Sequence, residues 1–459
     1  MSLALPTRRG RERTGTRRRT SVIAVAIVAM FMVAAFLTGA VRTDFAGAAT
    51  SPSFKNYAPT SGLGADAAEP SIGLNPKTGV AMMQAGYETL RVDFTKSPVE
   101  WRDVGSAITS SASLDPILFT DQRTGRTFVS QLAGDCSLMA YSDNDGASWT
   151  ENPFGCGAGA GVDHQTVGGG RFASGLLGPS SSYPDTVYYC AQAVATAQCS
   201  LSTTGGLTFG PAVPIYSAAQ CGGLHGHIKA SPLDGTVYVP NADCGGKQAV
   251  IASSDNGNTW TIRKVPGTTT QDESDPSVGV GSDGTVYMGM QNGDGHPLVS
   301  VSRTKGATWT APVDVGKSFN IQNTQFPAVV AGDGDRAAFA FLGTSSAGND
   351  QAATFPGVWH LYVATTYDRG ATWTTVDATP TDPVQRGCIW LGGGSNTCRN
   401  LLDFMDVTTD AHGHIVVGYA DGCTATCPSG GKNTYSDLAT IARQEGGTGL
   451  LAAYDGITP

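Results

Sequence analysis

The sequence predicts an all-β fold, a β-propeller of four-stranded blades, seven in number with six as the alternative. Three observations carry this. Glycine is abundant (60 of 459 residues), prolines number 24 and charged residues are only 15%; that mixture suits short strands and turns better than long helices. A phrase reading acid-Pro-small-aliphatic, then a turn, then an aliphatic run, recurs along the chain. Between its copies runs a second phrase: "YSDNDGASWT" at 141–150, "SSDNGNTW" at 253–260, "SRTKGATW" at 302–309 and "TYDRGATW" at 366–373.

From the N-terminus onward, Arg8, Arg9, Arg11, Arg13 and Arg17 to Arg19 precede an apolar run from Val22 to Leu37 and the small-residue stretch "FAGAAT". This is the layout of an export signal cleaved near Ala48, with an uncleaved membrane anchor as the alternative. Residues 1–50 are assigned to it, 51–64 to a linker and 65–459 to the propeller. A secreted protein follows, meeting a membrane only through that segment. The ten cysteines agree. They fall into the close pairs Cys136/Cys156, Cys190/Cys199, Cys221/Cys244, Cys388/Cys398 and Cys423/Cys427, read as five local disulfides of an oxidising compartment. A zinc site is the poorer reading of these cysteines, since no CxxC pair occurs. The net charge of −9 argues against nucleic acid as a main partner, and a monomer is expected.

The first phrase reads "EPSIGLNPKTGV" at 69–80, "DPILFTDQRTG" at 115–125 and "DPSVGVGSDGTV" at 275–286, with looser copies at 163–175, 226–240, 326–343 and 404–422. Each copy is strand, glycine turn, strand, a hairpin signal. A second hairpin carrying the Trp-ending phrase, or a decayed version of it, follows each. Four strands per unit and seven units read as a propeller. An array of β-sandwiches is the rival and would be less regularly punctuated.

The second phrase is turn chemistry: an acid accepts backbone N–H bonds, a glycine takes positive φ and the tryptophan buries a ring against the neighbouring blade. Ser253, Asp255, Gly257, Thr259 and Trp260 match S/T-x-D-x-G-x-T/S-W in full; 142–149, 302–309 and 366–373 match with substitutions. On these residues the chain resembles the sialidase-like propellers, whose Asp box, or bacterial neuraminidase repeat, this is. The resemblance covers residues 65–459. It implies a secreted bacterial protein of the sialidase family, with the boxes on outer hairpins remote from the active site. Enzymatic sialidases clamp a carboxylate with an Arg triad and carry an Arg-Ile-Pro phrase in the first blade. This chain has "AAEPSIGL" there, and Arg123, Arg126, Arg303 and Arg369 fall at turns or in boxes on the far face. A true exo-sialidase is therefore not the reading.

Candidate chemistry lies at the other end of each blade. Aligning the first phrase on its turn glycine puts Glu69, Asp115, Asp163, Gly226, Asp275, Phe326 and Phe404 at one position, the start of the innermost strand. Asp403 and His225 stand one residue earlier. Proline follows in four copies, and His164 or His227 in two. Acids and imidazoles are thus expected to converge on one channel mouth. Asp115, Asp163, His164, His227 and Asp275 are the catalytic candidates. Glu69, His225, Arg386, Trp390 and Asp403 are the substrate-binding candidates, Trp390 as a sugar-stacking ring because it lies outside any repeat. No cofactor and no metal ligands are assigned; a structural calcium is the alternative, although no DxDxDG loop is present. The function read from these residues is a secreted carbohydrate-active enzyme, a glycoside hydrolase or lyase acting on a glycan or polysaccharide. The alternative is a non-catalytic extracellular propeller that binds a glycan or protein.

Overall fold

In a computed structural model, the described residues are 49–457 except 61, 112–114, 134–135, 157–162, 176, 194, 224 and 271–273. The export-signal segment lies outside them, apart from its last two residues. Seven antiparallel sheets follow one another along the chain, each built on a core of four strands. Their innermost strands are Ser71–Leu74, Ile117–Thr120, Asp163–Gly170, Lys229–Ala230, Ser277–Val280, Asn323–Ala331 and Asp406–Thr409, here the inner strands of blades 1 to 7. Each inner strand packs beside the next, and the seventh packs beside the first. The fold is the seven-bladed propeller the repeats predict.

The ring closes with a strand the sequence reading assigned to a linker. Ser53–Tyr57 pairs antiparallel with Leu438–Gly446 and becomes the outer strand of blade 7. The correction has a simple cause: blade 7 supplies only three strands of its own, and an exposed edge of unpaired backbone groups recruits the nearest extended segment.

The alternation of side chains explains how the blades stack. Seven hydrophobic clusters each join two adjacent blades. Val129 packs into the cluster between blades 1 and 2, whereas its neighbour Phe128 packs into the cluster between blades 2 and 3. In blade 3, Tyr189 faces blade 2 and Tyr188 faces blade 4. Both sheet faces are buried, and the strands accordingly read as near-continuous apolar runs. All five expected disulfides are formed, and no free cysteine remains among the described residues.

The Trp-ending turns close on themselves. In blade 4, Ser253 Oγ accepts the Gly257 N–H at 2.9 Å and donates to Asp255 Oδ1 at 2.8 Å. Asp255 in turn accepts the Thr259 N–H (2.9 Å) and hydroxyl (2.6 Å). Asn256 and Gly257 carry φ of +59° and +78°, which makes glycine the low-cost residue at the second. The same circuit runs through Asn144 in blade 2 and Asp368 in blade 6. In blades 3 and 5 it runs through hydroxyls, with Thr204 and Thr304 accepting the N–H of Thr208 and Thr308. The turn needs an acceptor, not a charge. The tryptophans are half-buried, packed on the interface with the preceding blade; the Trp149 indole N–H donates to Val104 O at 2.6 Å.

Replacing Ser253 by Ala removes a buried acceptor and is expected to cost about 1–3 kcal/mol. Asp255→Thr, which keeps an acceptor, should cost less than Asp255→Ala. Denaturant midpoints of the three variants check this; equal losses for the two Asp255 variants would contradict the acceptor account.

Candidate functional site

Consecutive inner strands are tied by one repeated hydrogen bond. The Leu118 N–H donates to Ser71 Oγ (2.6 Å), Ile228 to Thr166 Oγ1 (3.1 Å), Val329 to Ser277 Oγ (2.9 Å) and Ile72 to Asp406 Oδ2 (3.3 Å). These bonds fix the true register. Two residues ahead of the accepting position stand Glu69, Asp115, His164, His225, Asp275, Phe326 and Phe404. The expected ring is thereby corrected at two places: His164 replaces Asp163, and His225 replaces Gly226. Blade 3 carries a bulge between Asp163 and Thr166, and blade 4 has a minimal inner strand, so alignment on the turn glycine slips by one. Gly226 has a packing role, since a Cβ there would fall 2.0 Å from Pro276 O.

Four ring residues, Glu69, Asp115, His164 and Phe326, are left-handed, with φ of +56°, +43°, +53° and +56°. Side chains with a Cβ reach that region at about 1–3 kcal/mol each, and such strain gathers at functional sites.

The ring side chains meet one another across the axis. His164 Nε2, from blade 3, lies 2.6 Å from Asp275 Oδ2 of blade 5. His225, from the blade between them, sets its ring edge-on to that of His164, with centroids 5.1 Å apart. The His164 backbone N–H is shared by Asp115 Oδ2 (2.7 Å) and Asp163 Oδ1 (3.0 Å), so these two carboxylates are close neighbours. On the other flank, Asp403 lies close enough for its negative charge to act on Glu69. Arg399 grips Asp403 with two parallel bonds of 2.7 and 2.8 Å.

Burial works against a charged His164, but the carboxylate of Asp275, with Asp115 and Asp403 beyond it, wins and pushes the ring up to about 10. Burial, reinforced by the negative fields of Asp115 and Asp403, holds Glu69 well above the usual carboxylate range. Burial raises Asp115 to about 6; the His164 charge opposes the rise, and Asp163 adds to it. Burial and the His164 charge push His225 down to about 3. Its Nδ1 faces Gly226 O at 3.2 Å, which makes that nitrogen the protonated one. Two buried atoms at this mouth have no hydrogen-bond partner, His225 Nε2 and Asp275 Oδ1. The mouth therefore holds a proton donor, a carboxyl that titrates near neutrality, a fixed imidazolium and two unused acceptors.

The structure thus brings together Glu69, Asp115, Asp163, His164, His225, Asp275 and Asp403. His227 lies two residues further down its strand, its ring 4.6 Å from that of Phe404. It lines a chamber of about 620 Å³ on the axis, with Lys229 and Asp406. Arg386 lies instead on the short strand Gln385–Arg386, which pairs with Val358–Trp359 of blade 6, and Trp390 on the loop after it. Arg386 Nε donates to Cys427 O and the Trp390 indole to Gly393 O. Trp390 is half-buried and packs beside the core between blades 6 and 7. Arg399 was missed as a site residue because it arrives from a loop before the inner strand, where the repeat gives no register. Arg123, Arg126 and Arg369 pair with Asp185, Asp143 and Asp283 at turns.

No family model matches the chain, and no curated protein does. Among solved structures it is similar to a GH74 enzyme of Niastella koreensis, at a TM-score of 0.50 and 17% identity, covering 82% of this chain and 52% of that one. The chain spans about half the length of that enzyme. It is also similar to the NanB sialidase of Streptococcus pneumoniae (TM-score 0.42, 9% identity, 82% and 83% covered) and to Aleuria aurantia lectin (0.39, 12%, 65% and 90%). At these identities the likeness is one of fold.

His164→Gln leaves the Asp275 carboxylate buried without its cation and is expected to cost about 3–5 kcal/mol. Because folding raises the His164 pKa from 6.5 to about 10, its stabilisation is complete below pH 6.5 and is lost as pH climbs through 10. Melting temperatures measured across pH 6–10 should fall more steeply for the wild type than for His164→Gln.

Proposed function

We propose that the protein is a secreted carbohydrate-active enzyme whose acid/base chemistry takes place at the channel mouth, acting on a glycan as a glycoside hydrolase or lyase. One observation carries this reading. Glu69 and Asp115 occupy equivalent positions on adjacent blades, yet burial and neighbouring charges leave one as a carboxylic acid and the other near its midpoint at about pH 6. Paired carboxyls driven apart in this way supply a general acid and a general base. In this assignment Glu69 donates the proton to the leaving oxygen. Asp115, with Asp163 beside it, accepts one from the water or from the sugar. His164, Asp275 and Arg399 hold the carboxyls in place and balance their charge.

Secretion is supported by the five disulfides and by the basic and apolar N-terminal sequence. No helix among the described residues is long and apolar enough to cross a membrane. The partner class, a glycan, fits the chemistry of the mouth. The kinds of protein that share the fold, glycosidases, sialidases and a lectin, leave room for a binding role. Glu69 and Asp275 are buried, at 2% and 5% exposure, so catalysis through Glu69 requires the mouth to open to the substrate.

A panel of neutral polysaccharides, uronic-acid polysaccharides and sialosides, followed by reducing-end and unsaturated-uronate assays, tests the proposal. Asp115→Asn and Glu69→Gln should each lower turnover by about 10²–10⁴-fold. Wild-type kcat/KM should drop as pH falls below about 6, a limb that Asp115→Asn lacks. Glycan binding without turnover, unchanged in both variants, would establish the binding reading instead.

A further inference from the structure

The lower face of blade 7 carries a cluster that no part of the acid mouth uses. The turn between its first two strands reads "DAHGH", and Asp410, His412 and His414 place one ligand atom each within 4.8 Å of one another. We propose that these three side chains bind a divalent transition-metal ion of the zinc type, which clasps the C-terminal segment to the turn.

Asp410 and His414 are held in place by hydrogen bonds at their own atoms. Asp410 Oδ1 accepts the backbone N–H groups of His412 and His414, both at 2.9 Å, which leaves Oδ2 facing the imidazole. His414 Nδ1 lies 2.9 Å from that Oδ2, while its other nitrogen, Nε2, faces Ile457 O at 3.2 Å. Both His414 nitrogens face acceptors; zinc would take the place of the proton between Nδ1 and Asp410 Oδ2, while Nε2–H keeps the backbone carbonyl, the usual arrangement of a metal-bound histidine. His412 is exposed, and its ring rests on Tyr454 with centroids 4.8 Å apart. Ligand atoms around a tetrahedral zinc ion stand roughly 3–4 Å from one another, given bonds of about 2.0–2.2 Å. The three ligand atoms lie within 4.8 Å of one another, somewhat wider than that spacing.

The ligand types select the ion. Two imidazoles and one carboxylate suit zinc, cobalt, nickel and copper; calcium and magnesium prefer oxygen ligands throughout. Thiolates offer no competing site among the described residues, since every cysteine there is in a disulfide.

The position gives the ion a purpose. Tyr454 and Ile457, which touch the two histidines, belong to the segment after the last strand. That segment is held by blade 6, where Arg336 grips Asp455 at 2.6 and 2.7 Å and Asp333 accepts the Ala452 N–H at 2.7 Å, and by the blade 7 turn, where Gly413 O accepts the Leu450 N–H at 2.7 Å. The ion would fix its far end to blade 7, so that the segment straps the two blades together beside the lower mouth of the axial chamber, which Asp410 and Tyr454 line.

The full mature chain, stripped with EDTA, is titrated calorimetrically with ZnCl₂ and its melting temperature followed with and without the ion. One zinc per chain, a raised melting temperature and no response to CaCl₂ or MgCl₂ are expected. His412→Ala, at an exposed position, should keep the fold by circular dichroism, weaken zinc binding by about tenfold or more and abolish the thermal shift. Cobalt(II) should give a visible absorption band in the wild type that is lost in Asp410→Asn. Absence of zinc binding in the wild type, or binding undiminished in both variants, overturns the proposal.

Discussion

The whole molecule depends on five residues near one end of the chain pairing with nine near the other. Without Ser53–Tyr57 against Leu438–Gly446, blade 7 has a bare edge, and only side-chain packing and a few hydrogen bonds, such as Ala439 N–H to Gly64 O, would hold it against blade 1. The clusters between blades are individually ordinary hydrophobic contacts. Their arrangement in a closed circle is what makes each depend on its neighbours. Closure also sets the axis, because the hydrogen-bonded step from inner strand to inner strand returns to its origin only when Asp406 of blade 7 accepts the Ile72 N–H of blade 1.

The upper mouth is the place where that circle is under most tension. Side chains from five consecutive blades are forced toward one point, and four of the seven ring positions accept a left-handed backbone. A cluster of five acids would not survive burial alone. It is held by two cations, His164 and Arg399, and burial holds Glu69 well above the usual carboxylate range. Buried charge, strain and unfilled acceptors coincide there, and that coincidence is what separates the mouth from an ordinary strand end.

Much of this was legible from the residues. The recurring hairpin phrases counted the blades, the Trp-ending one in four of them, because its acceptor, glycine and tryptophan answer the same local demands wherever it occurs. The disulfides were readable because each closes a short loop. The ring of acids was readable in outline, yet its register was wrong in blades 3 and 4. Gln165 and Gly226 stand there in place of the proline that marks the position elsewhere, and a one-residue bulge leaves no trace in a hydrophobicity pattern. A usable signal was present: Thr166 is the acceptor that Ser71 and Ser277 are in their blades, and counting back from it reaches His164. Arg399 and the blade 7 turn were beyond such reasoning. The first comes from a loop outside the repeat. The second acquires meaning only when Tyr454 and Ile457, some forty residues later, fold back upon it.

The strand that completes blade 7 has a consequence for how the chain is made. Ser53–Tyr57 leaves the ribosome among the first residues of the propeller and must wait for a partner that emerges among the last. No intermediate length of chain can form a closed ring, so blades that assemble early expose the packing face meant for their missing neighbour. A protein built in this way gains from reaching its folding compartment before it closes, and from local disulfides that steady single hairpins while the circle is still open.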